Sequence, residues 1–380
     1  MQLSYWEQQT WFTNIDIAII GSGIVGLNCA LALKERFPKK KIVVFEKGMI
    51  PSGASTKNAG FACFGSISEI LEDLQTHSEE EVVQLVKERV AGLQLLRDTL
   101  GDTAIDFQAL GGYEVFTNND ADRFDFCAEK IPYVNSLLKE VFLSKNDVFS
   151  LKSDPFSFKN VQKQLIFNQF EGQLDTGKMM KALLMKCLKM NIFVLNNAEI
   201  TAISHENHQI SLKMNNSVPF SVEKVCIATN GFAKQFLDED VQPARAQVLI
   251  TNPIPKLPIR GTFHLDRGYY YFRNIHNRVL FGGGRNLDFS AEQTTTLGLT
   301  TLVQNELERL LTTTILPNTP FTIDRRWSGI MGVGNQKKAI VKQLSDNVFC
   351  GVRLGGMGIA IGSLIGKELA DLSFSPIHIY

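Results

Sequence analysis

One short stretch restricts the fold more than any other. The apolar run Ile15-Asp-Ile-Ala-Ile-Ile20 passes directly into Gly21-Ser-Gly-Ile-Val-Gly26, and an apolar segment with helical spacing follows. Glycines at the first, third and sixth places of a strand-to-helix turn have separate tasks. Gly21 makes the tight turn, Gly23 lets the backbone approach a pyrophosphate, and Gly26 lets helix pack on strand. The N–H groups at that helix N-terminus, Ile24 among them, then face the anion. About twenty residues on, the usual distance to the ribose-binding acid, Lys41-Ile-Val-Val-Phe-Glu46 reads as a second strand. Glu46 ends it, placed to accept hydrogen bonds from both hydroxyls of an adenosine ribose. Strand, turn, helix, second strand and acid in register predict a parallel α/β sheet that binds a dinucleotide.

The chain has 380 residues, enough for two domains and a sizeable core. Lysine plus arginine equals aspartate plus glutamate, 39 of each, so no strong field points to nucleic acid or an acidic membrane. No apolar run approaches the roughly 18–20 residues that cross a bilayer. The stretch Met1 to Thr10 has neither a basic nor an apolar signal-peptide segment. Cys29, Cys63, Cys127, Cys187, Cys226 and Cys350 are scattered without a CxxC pair, which predicts reduced thiols, a cytoplasmic setting and no metal site. No Ser/His/Asp constellation stands out.

After Glu46 comes a loop from Gly48 to Gly65. A helix is expected from Ser78, which forms a capping box with Glu81, to a stop at Gly101. Asp175 or Thr176 caps a second helix, Lys178 to Met190, and a strand follows at Ile192–Leu195. Ile200 to Met214 reads as a hairpin turning around Glu206, Asn207 and His208. Val225 to Gly231 is a strand opening into a glycine loop, and alternating segments between Val241 and Asp288 suggest an antiparallel sheet. Val348 to Leu372 returns to strand, glycine loop and helix. The predicted architecture is α/β: a Rossmann-like dinucleotide domain assembled from 1–78, 155–240 and 325–380, plus an antiparallel-sheet α+β substrate domain from 79–154 and 241–324.

Six ordered pieces resemble the D-amino-acid oxidase/sarcosine oxidase/glycine oxidase superfamily of FAD enzymes across nearly the whole chain. They are the glycine fingerprint with Glu46, Ala54-Ser-Thr-Lys-Asn-Ala-Gly60, Glu171-Gly-Gln-Leu-Asp-Thr-Gly177, Val225-Cys-Ile-Ala-Thr-Asn-Gly-Phe232, Pro243-Ala-Arg-Ala-Gln-Val248 and Arg353-Leu-Gly-Gly-Met-Gly-Ile359. The resemblance implies FAD contacts from Gly21, Gly23, Ile24, Gly26, Glu46, Lys47, Ser55, Thr56, Asn58, Ala59, Gly60, Ala198, Ala228, Thr229, Gly231, Arg353, Gly355, Gly356, Met357 and Gly358. The last glycines sit at a helix N-terminus, where N–H groups stabilise negative charge at the N1/C2 edge of the flavin.

The departures from the family are informative. Members that oxidise amino acids clamp the substrate carboxylate with an arginine after a Trp-x-Gly step, but Trp327-Ser-Gly-Ile-Met331 puts Met331 there. The following family turn reads Gln336-Lys-Lys-Ala339. A substrate carboxylate must then meet another cation, and Arg353, Arg273 and Lys338 are the candidates. Branches that tether flavin use a cysteine where Gly329 stands, or a histidine where Asn58 stands, so non-covalent FAD is expected. The acceptor is O2 or another carrier, and Leu280, in place of the lysine that activates oxygen in the sarcosine-oxidase branch, argues against O2 as the favoured one. In Gly268-Tyr-Tyr-Tyr-Phe-Arg273, Tyr269, Tyr271 and Arg273 share one face of a strand and Tyr270 takes the other. The first set either roofs the pocket or belongs to a cross-strand aromatic stack. His264 is a candidate for proton handling.

The resemblance implies oxidation of a C–N bond in a small amine or amino acid by hydride transfer to flavin N5, with hydrolysis of the imine product. A 2-hydroxy acid substrate is the alternative, with His264 as base. A non-catalytic FAD-binding module is the third, disfavoured by the intact Asn58–Gly60 and Gly355–Gly358 segments.

Overall fold

In the computed structural model, which describes residues 3–142, 144–206, 209–215 and 218–374, strand Ile15–Ile20 lies between Val218–Ile227 and Ile42–Phe45 and runs parallel to both. Its pleat sends Ile17 and Ile19 into one core and Ala18 and Ile20 into another. A strand buried on both faces must be apolar on both, which is why it reads as a continuous run. One cover is helical, built from Ile24–Arg36, Glu79–Leu100, Thr176–Lys189 and Gly358–Leu372. The other is the antiparallel set Ile200–Glu206, Gln209–Met214 and Val218–Ile227, with Phe12 and Leu237 packed beneath it. Phe193–Leu195 and Val348–Val352 extend the parallel sheet, and Ile340–Ser345 closes one edge antiparallel.

The glycine turn behaves as its spacing demands. Gly21 has φ +104°, and a Cβ on Gly26 would lie 1.9 Å from the Gly21 carbonyl oxygen, so the first helix can reach its strand only through a bare backbone. The capping signals also hold. Ser78 and Glu81 form the expected box, Gly101 ends that helix with φ +81°, and Asp175 accepts from the Lys178 N–H. The turn of the expected hairpin at Asn207 and His208 lies outside the described residues.

A second eight-stranded sheet runs in the order Ile323–Val333, Gln242–Thr251, Arg278–Gly283, Tyr270–Ile275, Thr262–Leu265, Gly112–Val115, Gln164–Asn168, Phe149–Ser153. Among the described residues every pairing in it is antiparallel except Gly112–Val115 with Thr262–Leu265. Its outer face carries Leu249, Phe263, Phe272 and Phe281 under helix Thr301–Leu310. Its inner face carries Val248, Leu280 and Tyr271.

Gln164–Asn168 and Ile323–Val333 both belong to the second sheet, so that sheet draws strands from either side of the expected boundaries at 155 and 325. Helix Glu79–Leu100, expected with the substrate part, instead packs against Gly358–Leu372. Gly92 makes this possible, since a Cβ there would lie 2.2 Å from the Ala360 carbonyl oxygen. Helix Ala121–Leu138 carries an internal Pro132. Among the described residues no helix is long and apolar enough to cross a membrane.

Candidate active site

A cavity of about 490 Å³ lies between the C-terminal ends of the parallel strands and the inner face of the second sheet. Carboxyl ends of parallel strands are where open α/β sheets bind ligands. Its walls divide into an end built by the glycine turn and Glu46, and an end built by aromatic and charged residues.

At the first end, Glu46 is 5% exposed and accepts from four donors. Ser22 N–H (3.2 Å) and Oγ (2.7 Å) reach one oxygen, and Gly48 N–H and Ser52 Oγ (both 2.9 Å) reach the other. The acid thus fixes the glycine turn and the following loop together. Two long helices open onto the cavity, Ile24–Arg36 and Gly358–Leu372, and neither start has a capping side chain of its own. The Ile24 N–H donates to Ser55 Oγ across the cavity wall. Ser66, Ser78 and Asp175 cap their own helices, while Ala121–Leu138 and Thr301–Leu310 also begin without a side-chain cap. Two positive helix ends converging on one space favour an anionic ligand.

The residues present fit FAD. Space is open beside Gly355 and Gly356, where a Cβ would meet no atom within 4 Å, and Thr229 presents a buried hydroxyl with no partner. Ile24, Lys47, Ala59, Ala198, Ala228 and Met357 line the same cavity as Gly21, Gly23, Glu46, Ser55, Asn58, Gly60 and Gly358. Lys47 Nζ lies 3.4 Å from the centre of the Phe232 ring. Asn58 closes its own loop, accepting from the Gly60 N–H (2.8 Å) and from Thr176 Oγ1 (3.0 Å).

At the other end stand Tyr269, Tyr271, His264, Cys63, Phe61, Arg89, Arg267 and Arg285. Tyr271 faces the cavity because its cross-strand partner is Gly282, over which the ring lies; a Cβ there would sit 2.7 Å from Tyr271 Cε2. Burial pushes the Tyr271 phenol up to about 12. The alternate residues of these strands form the aromatic stack instead, with Phe263 and Phe272 ring centres 4.5 Å apart. Tyr269 and Tyr271 thus line the cavity, and the stack lies on the opposite face of the strand.

His264 Nε2 lies 3.2 Å from Glu171 Oε2. Burial alone disfavours the imidazolium and is the largest single influence. The combined attraction of Glu171, Glu69 and Glu114 outweighs it and raises the His264 pKa to about 9. Cys63, Glu171 and His264 bring their ligand atoms within 4.8 Å of one another, a grouping that the scattered cysteines did not suggest. Their charges close without a metal, since protonated His264 faces Glu171 and burial keeps the Cys63 thiol neutral.

Several expected site residues have other duties. Arg273 does not line the cavity; it is 4% exposed with Nη1 3.3 Å from the Gly60 carbonyl, bracing the loop from behind. Its strand position is as expected, but its length carries the guanidinium under that loop. Arg353 lines the cavity, yet its guanidinium is bound to Asp240 (carboxylate and carbonyl, both 3.0 Å) and to the Lys338 carbonyl (3.0 Å). Lys338 is not on the wall. Thr56 donates to the Pro51 carbonyl within its own turn, Gly26 packs on strand, and Gly231 makes room for the Met331 carbonyl, 2.5 Å from where a Cβ would be; none of the three lines the cavity. Met331 itself does. Gly329 faces Lys57, and Leu280 packs with Ala59 and Val248.

Sequence reasoning passed over Arg285, Arg89 and the pairing role of Glu171. Each left a trace. Arg285 follows three consecutive glycines, and positive φ at Gly283 and Gly284 turns the chain so that it returns to the cavity. Arg89 interrupts the buried stripe Val82, Val86, Leu93, Leu96, a charge where helical spacing calls for an apolar side chain.

Known proteins give the same picture. The family model described as "DAO: FAD dependent oxidoreductase" matches residues 16–372. A Haemophilus influenzae protein named "Probable oxidoreductase OrdL" is 21% identical over 95% of this chain and 83% of its own length. Among solved structures, glycine oxidase from Geobacillus kaustophilus superposes with a TM-score of 0.75 at 19% identity, covering 94% of both chains. L-proline dehydrogenase from P. horikoshii does so at 0.72 and 19%, covering 94% of this chain and 92% of the other. A match across almost the full length, on a fold whose cavity suits the cofactor, leads to one assignment: the chain belongs to the DAO family of FAD-dependent oxidoreductases.

Proposed function

We propose that this oxidoreductase acts on a small amine or amino acid that carries an anionic group, and oxidises its C–N bond. Arg285 carries the reading. It lines the cavity, with its guanidinium carbon 5.7 Å from the Tyr269 ring centre and 5.1 Å from that of Phe289, and no carboxylate pairs with it among the described residues. Burial lowers its pKa, and the neighbouring phenols of Tyr269 and Tyr271 partly offset that. A half-buried cation without a partner favours an anion from outside. Arg285 takes the role that Met331 cannot, while Tyr271 and Phe61 form an apolar wall that excludes water from the reacting C–H.

The flavin, when bound, supplies the hydride acceptor. Glu46, Ser55, Thr229 and the Gly355–Gly358 turn would hold it. Asn58 and Gly329 offer no nucleophile at the tether positions, which supports non-covalent binding. His264 bears on the substrate class. An imidazole already protonated by its pairing with Glu171 is a poor acceptor for a hydroxyl proton at neutral pH, so the 2-hydroxy acid reading lacks its base. An amine that arrives neutral needs none. The names of proteins with this fold, glycine oxidase, iminodiacetate oxidase and L-proline dehydrogenase, agree with an amino-acid-like substrate.

The test is anaerobic flavin bleaching against amines, amino acids and hydroxy acids, with wild type and Arg285→Met. The variant should need about 10- to 100-fold more of a carboxylate-bearing substrate for half-maximal rate, the scale of about 1.5–3 kcal/mol for hydrogen bonds to charged groups. Amines without a carboxylate should be unaffected. Equal behaviour of variant and wild type toward every carboxylate substrate would remove Arg285 from the site.

A further inference from the structure

We propose that Arg89 is an anion site on the cavity wall, and that its anion is the negative charge on the flavin ring after reduction. The inference rests on the FAD reading of the cavity. Arg89 is 4% exposed and lines the cavity from helix Glu79–Leu100. Nη1 donates to the Phe64 carbonyl at 2.6 Å, Nε has no partner, and no carboxylate pairs with Arg89 among the described residues. Glu69 accepts from the Ser66 N–H, Glu72 lies 3.9 Å from Arg267, Glu114 accepts from Ser68, and Glu171 pairs with His264. A buried guanidinium in this state is a standing demand for negative charge.

The fold goes to some length to put it there. Gly65, with φ +119°, leaves room for the guanidinium; a Cβ would lie 3.0 Å from Nη1. Three residues after Arg89, Gly92 brings its helix against Ala360, in the first turn of the C-terminal helix. Arg89 also reaches the start of Gly358–Leu372 through its own neighbours: it donates to the Phe64 carbonyl, the adjoining Cys63 Sγ lies 3.8 Å from Met357 Sδ, and Gly355–Ile359 line the same cavity. Two sources of positive potential side by side repel each other unless an anion lies between them.

Reduction creates such an anion. The substrate's hydride brings two electrons and one proton to N5, the oxidised ring is neutral, and the product carries one negative charge over N1 and the C2 carbonyl. Sulfite imitates this without turnover, since its lone pair bonds to N5 and leaves the same charge on the ring. Arg89 stabilises that charge together with the helix end, and so raises the flavin's potential.

The experiment titrates flavin-loaded protein with sulfite, following the visible flavin band, and measures the two-electron midpoint potential. Arg89→Gln keeps a donor for the Phe64 carbonyl but removes the charge. It should weaken sulfite binding by about tenfold or more, the scale of a charge-assisted hydrogen bond, and make the potential about 30 mV more negative per tenfold. Arg89→Lys should restore most of both values. Unchanged sulfite affinity and potential in a folded, flavin-loaded Arg89→Gln overturns the proposal. Should that variant not fold, Arg89→Met and Arg89→Lys at equal FAD loading carry the test: weaker sulfite binding by the methionine variant with near-wild-type binding by the lysine variant supports the proposal, and equal binding by all three proteins overturns it. A protein that takes up no FAD at all removes the cofactor reading itself, a different result from unchanged affinity.

Discussion

His264 and Glu171 form a buried ion pair at the cavity wall, Nε2 to Oε2 at 3.2 Å, with 6% and 1% of each residue exposed. Glu171 lies before helix Thr176–Lys189 and His264 on strand Thr262–Leu265, so the pair joins segments distant in sequence. Gly112 leaves the space, since a Cβ there would lie 1.9 Å from the same carboxylate oxygen.

The pair makes stability depend on pH in a definite direction. The folded protein holds the His264 pKa at about 9, above its ordinary value of 6.5, so it contributes stability in full below about 6.5 and loses it as pH rises through 9. The scale is on the order of 3 kcal/mol at about 1.4 kcal/mol per pKa unit. Glu171→Gln should melt well below wild type at pH 6, and the two melting curves should converge by about pH 10. Parallel melting temperatures across that range would dismiss the pair as a source of stability.

Flavin should leave the protein without bond cleavage. Acid or heat precipitation of the yellow protein should put FAD in the supernatant, because Asn58 and Gly329 occupy the tether positions. Colour retained in the washed precipitate would mean a covalent link, for which Cys63 on the cavity wall would be the first residue to test.

Arg353 should act on stability rather than on substrate. Its contacts to Asp240 and the Lys338 carbonyl fix the backbone just before the Gly355–Gly358 turn. Arg353→Met should destabilise by about 1–2 kcal/mol, more than an exposed pair because the arginine is buried. Asp240→Asn should lose a similar amount, and the double variant little more than either. A change in half-saturating substrate with no change in melting temperature would return Arg353 to the substrate site.

Gly282 should control Tyr271. Gly282→Ala places a methyl group where the ring lies, 2.7 Å from Cε2, so the phenol must shift into the cavity. Substrate saturation should change several-fold while FAD content stays the same, because the glycine-turn end of the cavity is untouched. Identical saturation curves would show that the ring's position is immaterial.

Legibility in the sequence followed the range of the interactions. The glycine fingerprint, the Ser78–Glu81 box and the Asp175 cap are contacts within a few residues, and each is readable from spacing alone. Glu46 is readable as an acid at a strand end, but its grip on Ser22, Gly48 and Ser52 requires the loop to fold back. Arg273 and Arg353 read as candidate partners for a substrate carboxylate, and in the structure their guanidinium groups meet Gly60 and Asp240. What spacing could not supply was the direction of a long side chain, which depends on whether Gly60 or Asp240 waits at its end. Arg285 and Arg89 needed the opposite inference, from a bend and from a gap in an apolar stripe. Neither has chemistry that announces itself locally.

The parallel pairing in the second sheet, Gly112–Val115 with Thr262–Leu265, governs when the cavity can come into being. Between its partners in chain order come Phe193–Leu195 and Val218–Ile227 of the parallel sheet, and the last wall arrives only with Gly355–Leu372. A chain emerging from the ribosome therefore completes this enclosure only after Gly358–Leu372 has been made. Until then Ile15–Ile20 and its apolar neighbours wait for Val348–Val352 and the final helix. Long-range closures of this kind are slow and leave sticky surfaces uncovered. Free FAD, bound at the moment of closure, would draw the equilibrium toward the finished protein. Riboflavin-starved cells should therefore yield less folded protein as well as paler protein.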